Sequence, residues 1–247
     1  MIRRYELYIG QQLMILICLL HYNELYLRRL FCLHDLGFTS GNTFRGPIGK
    51  NFQGGLKLDL VPKDFTPIMT SLTKLPKSAY KALNRDAKYL HDIVFILEAG
   101  VVDEKFLKRK PGKVVQSRWV TLACNLVRLH LQSTNPSPQL IRLVTVVAQM
   151  YVVLYFEIKM KPHYTNAARH FFRSIELARN CLNEEEFNEF KVSGNINSFS
   201  AHPELIFVAA FNYSETDLEK RAIVYNYIMM DRHRRVNGEM PIGKTSC

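Results

Sequence analysis

Apolar residues recur at every third or fourth position along most of the chain from about Lys74 onward, and this spacing predicts helices. The segment Ser78–Ala99 carries such an apolar stripe, and Gly100 is a suitable helix stop. Further helices are predicted over 117–131, 166–179 and 182–191, and from Pro203 and from Ser214 onward.

The helix predicted over 117–131 has two chemically different faces. The residues on its apolar face are Trp119, Leu122, Leu126 and Leu129, and those on its polar face are Arg118, Thr121, Asn125 and Arg128. The next helix begins at Ser137-Pro138, since proline suits the first helical position. Its segment Leu143–Phe156 is shorter than the roughly 20 apolar residues of a membrane span, and a narrow polar stripe crosses it, so we predict a core helix.

The N-terminal part of the chain follows a different pattern. Leu13–Leu20 is an apolar run that predicts a buried strand, which leads into a helix or turn by residue 36. The glycine-rich segment 39–55 is predicted to be a loop. The fold class is therefore mainly α, a helical domain with at most a small strand remnant near the N-terminus.

Composition adds a charge bias to this pattern. Thirty-three Lys and Arg against 22 Asp and Glu give a formal net charge of +11. Such a surplus favours nucleic acid as a partner, with acidic membrane surfaces second, although many basic intracellular proteins bind neither. The five cysteines are scattered and odd in number, which indicates a reducing compartment. No small-residue cleavage site follows the apolar run at 13–20, so we predict no membrane targeting.

Local motifs for chemistry are weak. Gly238–Thr245 spells a phosphate-binding loop, but a predicted helix precedes it and the chain ends two residues later, so we reject nucleotide binding there. The possible zinc ligands Cys18, His21, Cys32 and His34 lack the usual spacing of a finger. We therefore predict no metal, no cofactor and no small-molecule substrate.

The acidic residues likewise form no recognisable catalytic set. Metal-dependent phosphoryl transfer needs two or three carboxylates that converge on one spot. The candidates are Asp35, Asp59, Asp64, Glu157 and Glu176, and no spacing joins them. Glu157 is expected to form a surface ion pair with Lys159 or Lys161.

Arg118-Trp119 is the most informative local pair. A tryptophan on the apolar side of a helix is usually core. A Trp beside an Arg near a loop also suits an unstacked base, with the cation close to a phosphate.

Two short motifs follow each other along the chain, Cys18-Leu19-Leu20-His21 and Ser117-Arg118-Trp119. In this order they resemble motifs of the hAT-type transposases. The RNase H-like core of those enzymes carries a Cys-two-His motif after the second catalytic Asp, and their helical insertion starts near an Arg-Trp motif. Longer blocks resemble a group of uncharacterised, transposon-derived animal proteins, namely Cys18–Leu30, Phe44–Lys50, Ser117–Leu129 and His202–Leu205. Together the likeness covers about residues 12–235.

The resemblance implies roles for single residues. Cys18 and His21 would be structural residues of a former core, whereas Arg118 and Trp119 would contact DNA, with the Trp stacked on a flipped base. We add Arg128 as a nucleic-acid contact because it shares the polar face of Arg118. Two catalytic aspartates precede the Cys-two-His motif in such enzymes, whereas the residues before Cys18 include no Asp.

We therefore expect a catalytically incompetent, transposase-derived helical protein with possible nucleic-acid binding, located in the nucleus or cytoplasm. Its expected segments are a truncated core remnant (1–60), a helical insertion-like domain (61–235) and a flexible tail (236–247). One alternative is a protein–protein interaction module in which Arg118-Trp119 is packing. The other is a non-functional fragment whose apolar run is an exposed edge. A contiguous basic groove that includes Arg118 and Arg128 would favour DNA binding, and dispersed charge would favour the interaction module.

Overall fold

Helices dominate the residues that the computed structural model describes, which are 19–36, 45–52, 65–102, 104–109, 111, 118–162 and 166–195. The helices in these ranges are α1 (Leu19–Asp35), α2 (Lys77–Ala82), α3 (Arg85–Ala99), α4 (Glu104–Leu107), α5 (Arg118–Gln132), α6 (Pro138–Met160), α7 (Ala167–Cys181) and α8 (Glu184–Asn195). No residue in these ranges lies in a strand. The fold is mainly α, as the apolar spacing predicted.

Helix α6 lies at the centre of the bundle. It packs against α1, α5 and α7, while α8 covers α1 and α3 packs on α5. By length and composition α6 could cross a membrane, with a mean hydropathy of 1.6 in its most apolar window. That window is 72% buried inside the protein, which is the burial of a core helix. The predicted start is also present, because the Ser137 side chain accepts a hydrogen bond from the Leu140 N–H at 3.2 Å.

A π-helical turn at Val147–Tyr151 interrupts the α-helical pattern of α6. A turn of this kind shifts the hydrogen-bond ladder and leaves carbonyl groups for other donors. Thr70 Oγ1 donates to the Ala148 carbonyl at 2.6 Å, and Asn23 Nδ2 donates to the Tyr151 carbonyl at 3.1 Å. The first bond attaches the segment before α2 to the central helix, and the second attaches α1 to it.

The helix predicted over Ser78–Ala99 is two helices, because the chain leaves helical geometry at Leu83 and Asn84. Asn84 has an extended backbone, and its side chain accepts a hydrogen bond from the Ala87 N–H at 2.9 Å, so it caps α3. The predicted stop is confirmed: Gly100 has a φ of 75°, the left-handed conformation that glycine adopts without strain.

The N-terminal apolar run does not continue as a strand into the described residues. Leu19 and Leu20, the end of the predicted strand, already belong to α1, whereas 13–18 lie outside the described part. The prediction of a helix before residue 36 is confirmed. Helix α1 packs against α6 and α8, so it shares one hydrophobic core with helices of the segment after residue 61. The proposed division at residues 60 and 235 stays a prediction.

The glycine-rich loop is more structured than its composition indicated, because residues 49–52 form a 3-10 turn. The buried Asp35 carboxylate holds this turn by accepting the Ile48 and Gly49 N–H groups at 2.7 and 3.0 Å. Burial raises the pKa of Asp35 above its ordinary value. A Cβ at Gly46 would overlap the Asp35 carbonyl oxygen and carboxylate, so only glycine fits there.

The basic segment 105–109 begins within the short helix α4. Phe106 of this helix is buried, and its ring stacks on Tyr89 with a centroid distance of 4.8 Å. Arg109 donates to the Asp92 carboxylate of α3 at 2.6 Å. The segment is therefore anchored on α3 by one aromatic and one ionic contact.

Candidate functional site

Arg128, expected on a nucleic-acid surface, lies inside the protein. It is 2% exposed, and its Nη1 donates to the Tyr89 hydroxyl oxygen at 2.8 Å. The guanidinium also lies 5.7 Å from the centroid of the Tyr89 ring. Thr121, another member of the expected polar face, is 4% exposed. This face of α5 therefore packs partly inside the bundle, and Arg128 presents almost no surface to a nucleic acid.

The other motif residues are only partly described. Arg118 and Trp119 begin α5, as the sequence predicted, but their side chains lie outside the described part. The same is true of the His21 side chain in α1, and Cys18 lies outside altogether. The base-stacking role of Trp119 therefore stays a prediction, as does the structural role of Cys18 and His21.

Each candidate catalytic acid in the described residues has a hydrogen-bond or ion-pair partner. Asp35 holds the 3-10 turn, while Asp59 and Asp64 lie outside the described residues. Glu157 and Glu176 both pair with Arg173, at 3.2 and 2.9 Å. Glu157 thus forms an ion pair as expected, although its partner is an arginine on α7. Within the described residues, no three His, Cys, Asp or Glu side chains are grouped closely enough to hold a metal ion.

One group of titratable residues lies between α1, α6 and α8, and we call it the internal cluster: Glu186 and its half-buried partners Arg142 and His34. Glu186 is fully buried and accepts hydrogen bonds from Arg142 Nε at 2.8 Å and from His34 Nε2 at 2.6 Å. It also accepts the Asn183 N–H at 3.0 Å, while the Asn183 side chain accepts the Glu186 N–H, so the pair caps α8. Burial opposes ionisation, but these donors lower the pKa of Glu186 to about 2.

A second group of charged residues faces an open cavity, which we call the basic cleft. It has a volume of about 560 Å³ and lies between the extended segment 71–76, the C-terminal half of α6 and the first half of α7. Its lining residues are Ser71, Leu72, Thr73, Lys74, Leu75, Pro76, Val153, Phe156, Glu157, Met160, Lys161, Arg169, His170 and Arg173. The lining thus contains four Lys or Arg side chains and one carboxylate, which give it a formal net charge of +3 without His170.

The bottom of the basic cleft is apolar and its rim is polar. Val153 and Phe156 are almost fully buried, and Met160 is 41% exposed at the end of α6. Lys74 and Lys161 are both exposed, one on the extended segment and one directly after α6. A ligand in this cavity would therefore meet an apolar floor and cationic edges.

Local hydrogen bonds fix the position of the rim. The buried His170 ring donates through Nε2 to the Lys161 carbonyl at 3.0 Å, which ties the end of α6 to the start of α7. Arg173 is held between Glu157 and Glu176, and these ion pairs raise its pKa against the opposing effect of burial. Both carboxylates keep the guanidinium at the mouth of the cleft, where an anion would compete with Glu157 for it.

No local signal in the sequence pointed to the basic cleft. Its cations come from positions 74, 161, 169 and 173, which share no motif, and only the chain's path around α6 brings them to one cavity. The chain matches no protein-family model, no curated protein and no solved structure. The resemblance to hAT-type transposases therefore stays a prediction.

Proposed function

We propose that this protein is a non-catalytic, helical nucleic-acid-binding protein of transposase origin, and that the basic cleft is its phosphate-binding surface. The observation that carries the proposal is the convergence of Lys74, Lys161, Arg169 and Arg173 on one open cavity with a single carboxylate in its lining. Cations gathered in a concave, low-dielectric surface attract a polyanion more strongly than the same charges spread over a convex one.

The overall charge supports the same partner. The chain carries a formal charge of +11, so its long-range field attracts polyanions from solution. The cleft supplies what total charge lacks, which is a place where several cations contact neighbouring phosphates together. Hydroxyl groups of Ser71 and Thr73 lie in the same lining and are suitable donors to phosphate oxygens.

The proposal moves the binding surface away from Arg128, whose buried guanidinium is committed to Tyr89. Transposase origin is supported by the order of the Cys18–His21 and Arg118–Trp119 motifs and by the longer sequence blocks that resemble transposon-derived proteins. A binding role without catalysis is supported by the partners of Asp35 and Glu157, which hold the 3-10 turn and join α6 to α7, and by the pairing of Glu176 with Arg173 within α7.

The salt dependence of binding tests this proposal. Fluorescence anisotropy of a labelled oligonucleotide is measured between about 50 and 200 mM salt, where phosphate contacts produce a linear fall of log affinity with log salt. The double variant Lys74→Gln/Lys161→Gln removes two cations from the cleft. We expect weaker binding, and a salt slope that is shallower by about 1.4 for a single strand, since each phosphate contact contributes about 0.7.

The matched control is Lys81→Gln/Lys108→Gln, which removes two exposed lysines that do not line the cleft. Both double variants have the same net charge, so any difference between them reports on position alone. Equal slopes in the two variants would refute the basic cleft as the binding surface, and the absence of salt-dependent binding in the unmodified protein would refute nucleic-acid binding.

A further inference from the structure

The floor of the basic cleft distinguishes it from a surface that contacts only phosphates. The lining of the cleft includes apolar side chains of the extended segment and of α6, among them Leu75 and Met160. Met160 leaves 41% of its surface exposed there. A double helix keeps its bases stacked inside, so it would contact the cationic rim and leave the apolar floor in contact with water.

A single strand offers both kinds of contact. Its bases are unstacked, so their flat faces are available to apolar side chains, while the phosphates that join them stay accessible to lysine and arginine. The cavity volume of about 560 Å³ lies within the range of about 300–1,000 Å³ for pockets that enclose small organic groups. A base with its sugar fits such a space, whereas a duplex is far wider.

From these features we infer that the basic cleft binds a single strand of nucleic acid, with one base against the apolar floor and the flanking phosphates on the cationic rim. This inference rests on the proposed nucleic-acid binding and adds its substrate class. The base contacts Leu75 and Met160, and the phosphates contact Lys74 and Lys161.

The apolar side chains of the cleft also determine whether it distinguishes one base from another. Phe156 is only 1% exposed, so its ring face is not available as a stacking platform. Contact with the base is therefore aliphatic, through the flexible and polarisable Met160 side chain. The side chains of Leu75 and Met160 carry no hydrogen-bond donor for a base edge. We expect binding that depends on the presence of a base and little on which base it is.

The experiment compares three labelled probes of about twelve nucleotides, a length within the usual site size of single-strand binders. They are oligothymidylate, an abasic strand with the same phosphates, and a duplex. Pure electrostatic binding would favour the duplex, because its phosphates are more densely spaced. We expect the opposite order, with oligothymidylate bound about fivefold more tightly than the abasic strand, which is the gain expected from burying about 40 Å² of apolar surface.

The variant Met160→Gln keeps the length of the side chain and makes its end polar. It should weaken oligothymidylate binding severalfold and leave abasic-strand binding unchanged. The control Met69→Gln changes a methionine that is 61% exposed outside the cleft, and should alter neither.

Equal affinities for the normal and abasic strands, tightest binding of the duplex, or equal weakening of both strands by Met160→Gln would each overturn the single-strand inference. In those cases salt-dependent binding through Lys74 and Lys161 would still support the proposed function. Failure of every probe to bind would refute both the single-strand inference and the proposed nucleic-acid binding.

Discussion

The internal cluster and the basic cleft use the same kinds of residue in opposite ways. In the internal cluster, the fully buried Glu186 is matched by Arg142 and His34, so the charges are neutralised where they lie. In the basic cleft, four cations share one cavity with Glu157 as the carboxylate in its lining. The first arrangement joins α1, α6 and α8, whereas the second leaves a positive potential facing solvent.

The charged side chains of the described residues therefore occupy two kinds of environment. Loss of the buried Glu186 carboxylate should cost stability, because the half-buried Arg142 would be left without its acidic partner. Charges on an open rim cost little to remove, because water screens them. Substitutions in the internal cluster should therefore change stability without changing affinity, and those in the basic cleft should do the reverse.

The largest effect is expected for Glu186→Gln. The change leaves Arg142 without its carboxylate partner and weakens the cap at the start of α8, so unfolding free energy should fall by about 3 kcal/mol. Chemical denaturation measures this loss. Glu185→Gln, one residue earlier and exposed, is the control and should stay within about 0.5 kcal/mol of the unmodified protein. Equal losses of unfolding free energy in the two variants would contradict a specific stabilising role of the buried Glu186 carboxylate.

The same carboxylate gives an acid dependence with a defined sign. Its pKa is about 2 in the folded protein against an ordinary value of 4.5, so below pH 4.5 the unfolded chain takes up the proton first. The stability that Glu186 contributes is complete above pH 4.5 and is lost as the pH falls towards 2. The stability gap between the unmodified protein and Glu186→Gln should therefore narrow in this window.

Measuring the gap rather than the absolute stability removes the opposite contribution of Asp35. Burial raises the pKa of Asp35, so its contribution is lost as the pH rises through the folded value, and it is present in both proteins. A gap that stays constant from pH 6 to about pH 3 would contradict the lowered pKa of Glu186.

The substitution Arg128→Gln should lower the free energy of unfolding by about 2 kcal/mol, because it removes a buried charged donor to the Tyr89 hydroxyl. Affinity of the folded protein for oligonucleotides should stay unchanged, since Arg128 belongs to the interior. Thermal denaturation and anisotropy on the same sample measure both quantities. A loss of affinity with unchanged stability would return Arg128 to the nucleic-acid surface.

The smallest effect is expected for Glu157→Gln, and its sign is the informative part. The substitution removes the carboxylate that lines the cleft and frees Arg173 from one of its two acidic partners. Oligonucleotide affinity should rise about two- to fivefold at low salt, the equivalent of less than 1 kcal/mol for one screened charge. Glu185→Gln alters net charge equally and lies outside the cleft, so it should leave affinity nearly unchanged. Weaker binding by Glu157→Gln would indicate that Glu157 positions Arg173 for the ligand.

Helices α3 and α7 were predictable because each buries one stripe, and the pattern of apolar residues in the sequence records that stripe directly. The caps at Ser137 and Gly100 were predictable for a similar local reason. The break before α3 was missed because Leu83 fits the apolar stripe, although Asn84 is a typical cap residue and was the available signal.

The candidate site was not predictable, because it depends on tertiary partners. The sequence pattern places Arg128 on the surface, but its guanidinium donates a hydrogen bond inside the bundle to the hydroxyl of Tyr89, which is 39 positions away. The cations of the basic cleft are separated by up to a hundred positions and meet only because segment 71–76 and α7 pack on the same end of α6. Sequence spacing records contacts within one helix, and both of these arrangements join several elements.

Lysine footprinting tests whether nucleic acid binds in the basic cleft. The folded protein is acetylated under limiting conditions with and without a saturating single-stranded oligonucleotide, and the extent of modification at each lysine is read by mass spectrometry. We predict strong protection of Lys74 and Lys161 and unchanged modification of Lys81 and Lys108. Unchanged modification of Lys74 and Lys161 while the oligonucleotide is bound would contradict the basic cleft as the nucleic-acid site.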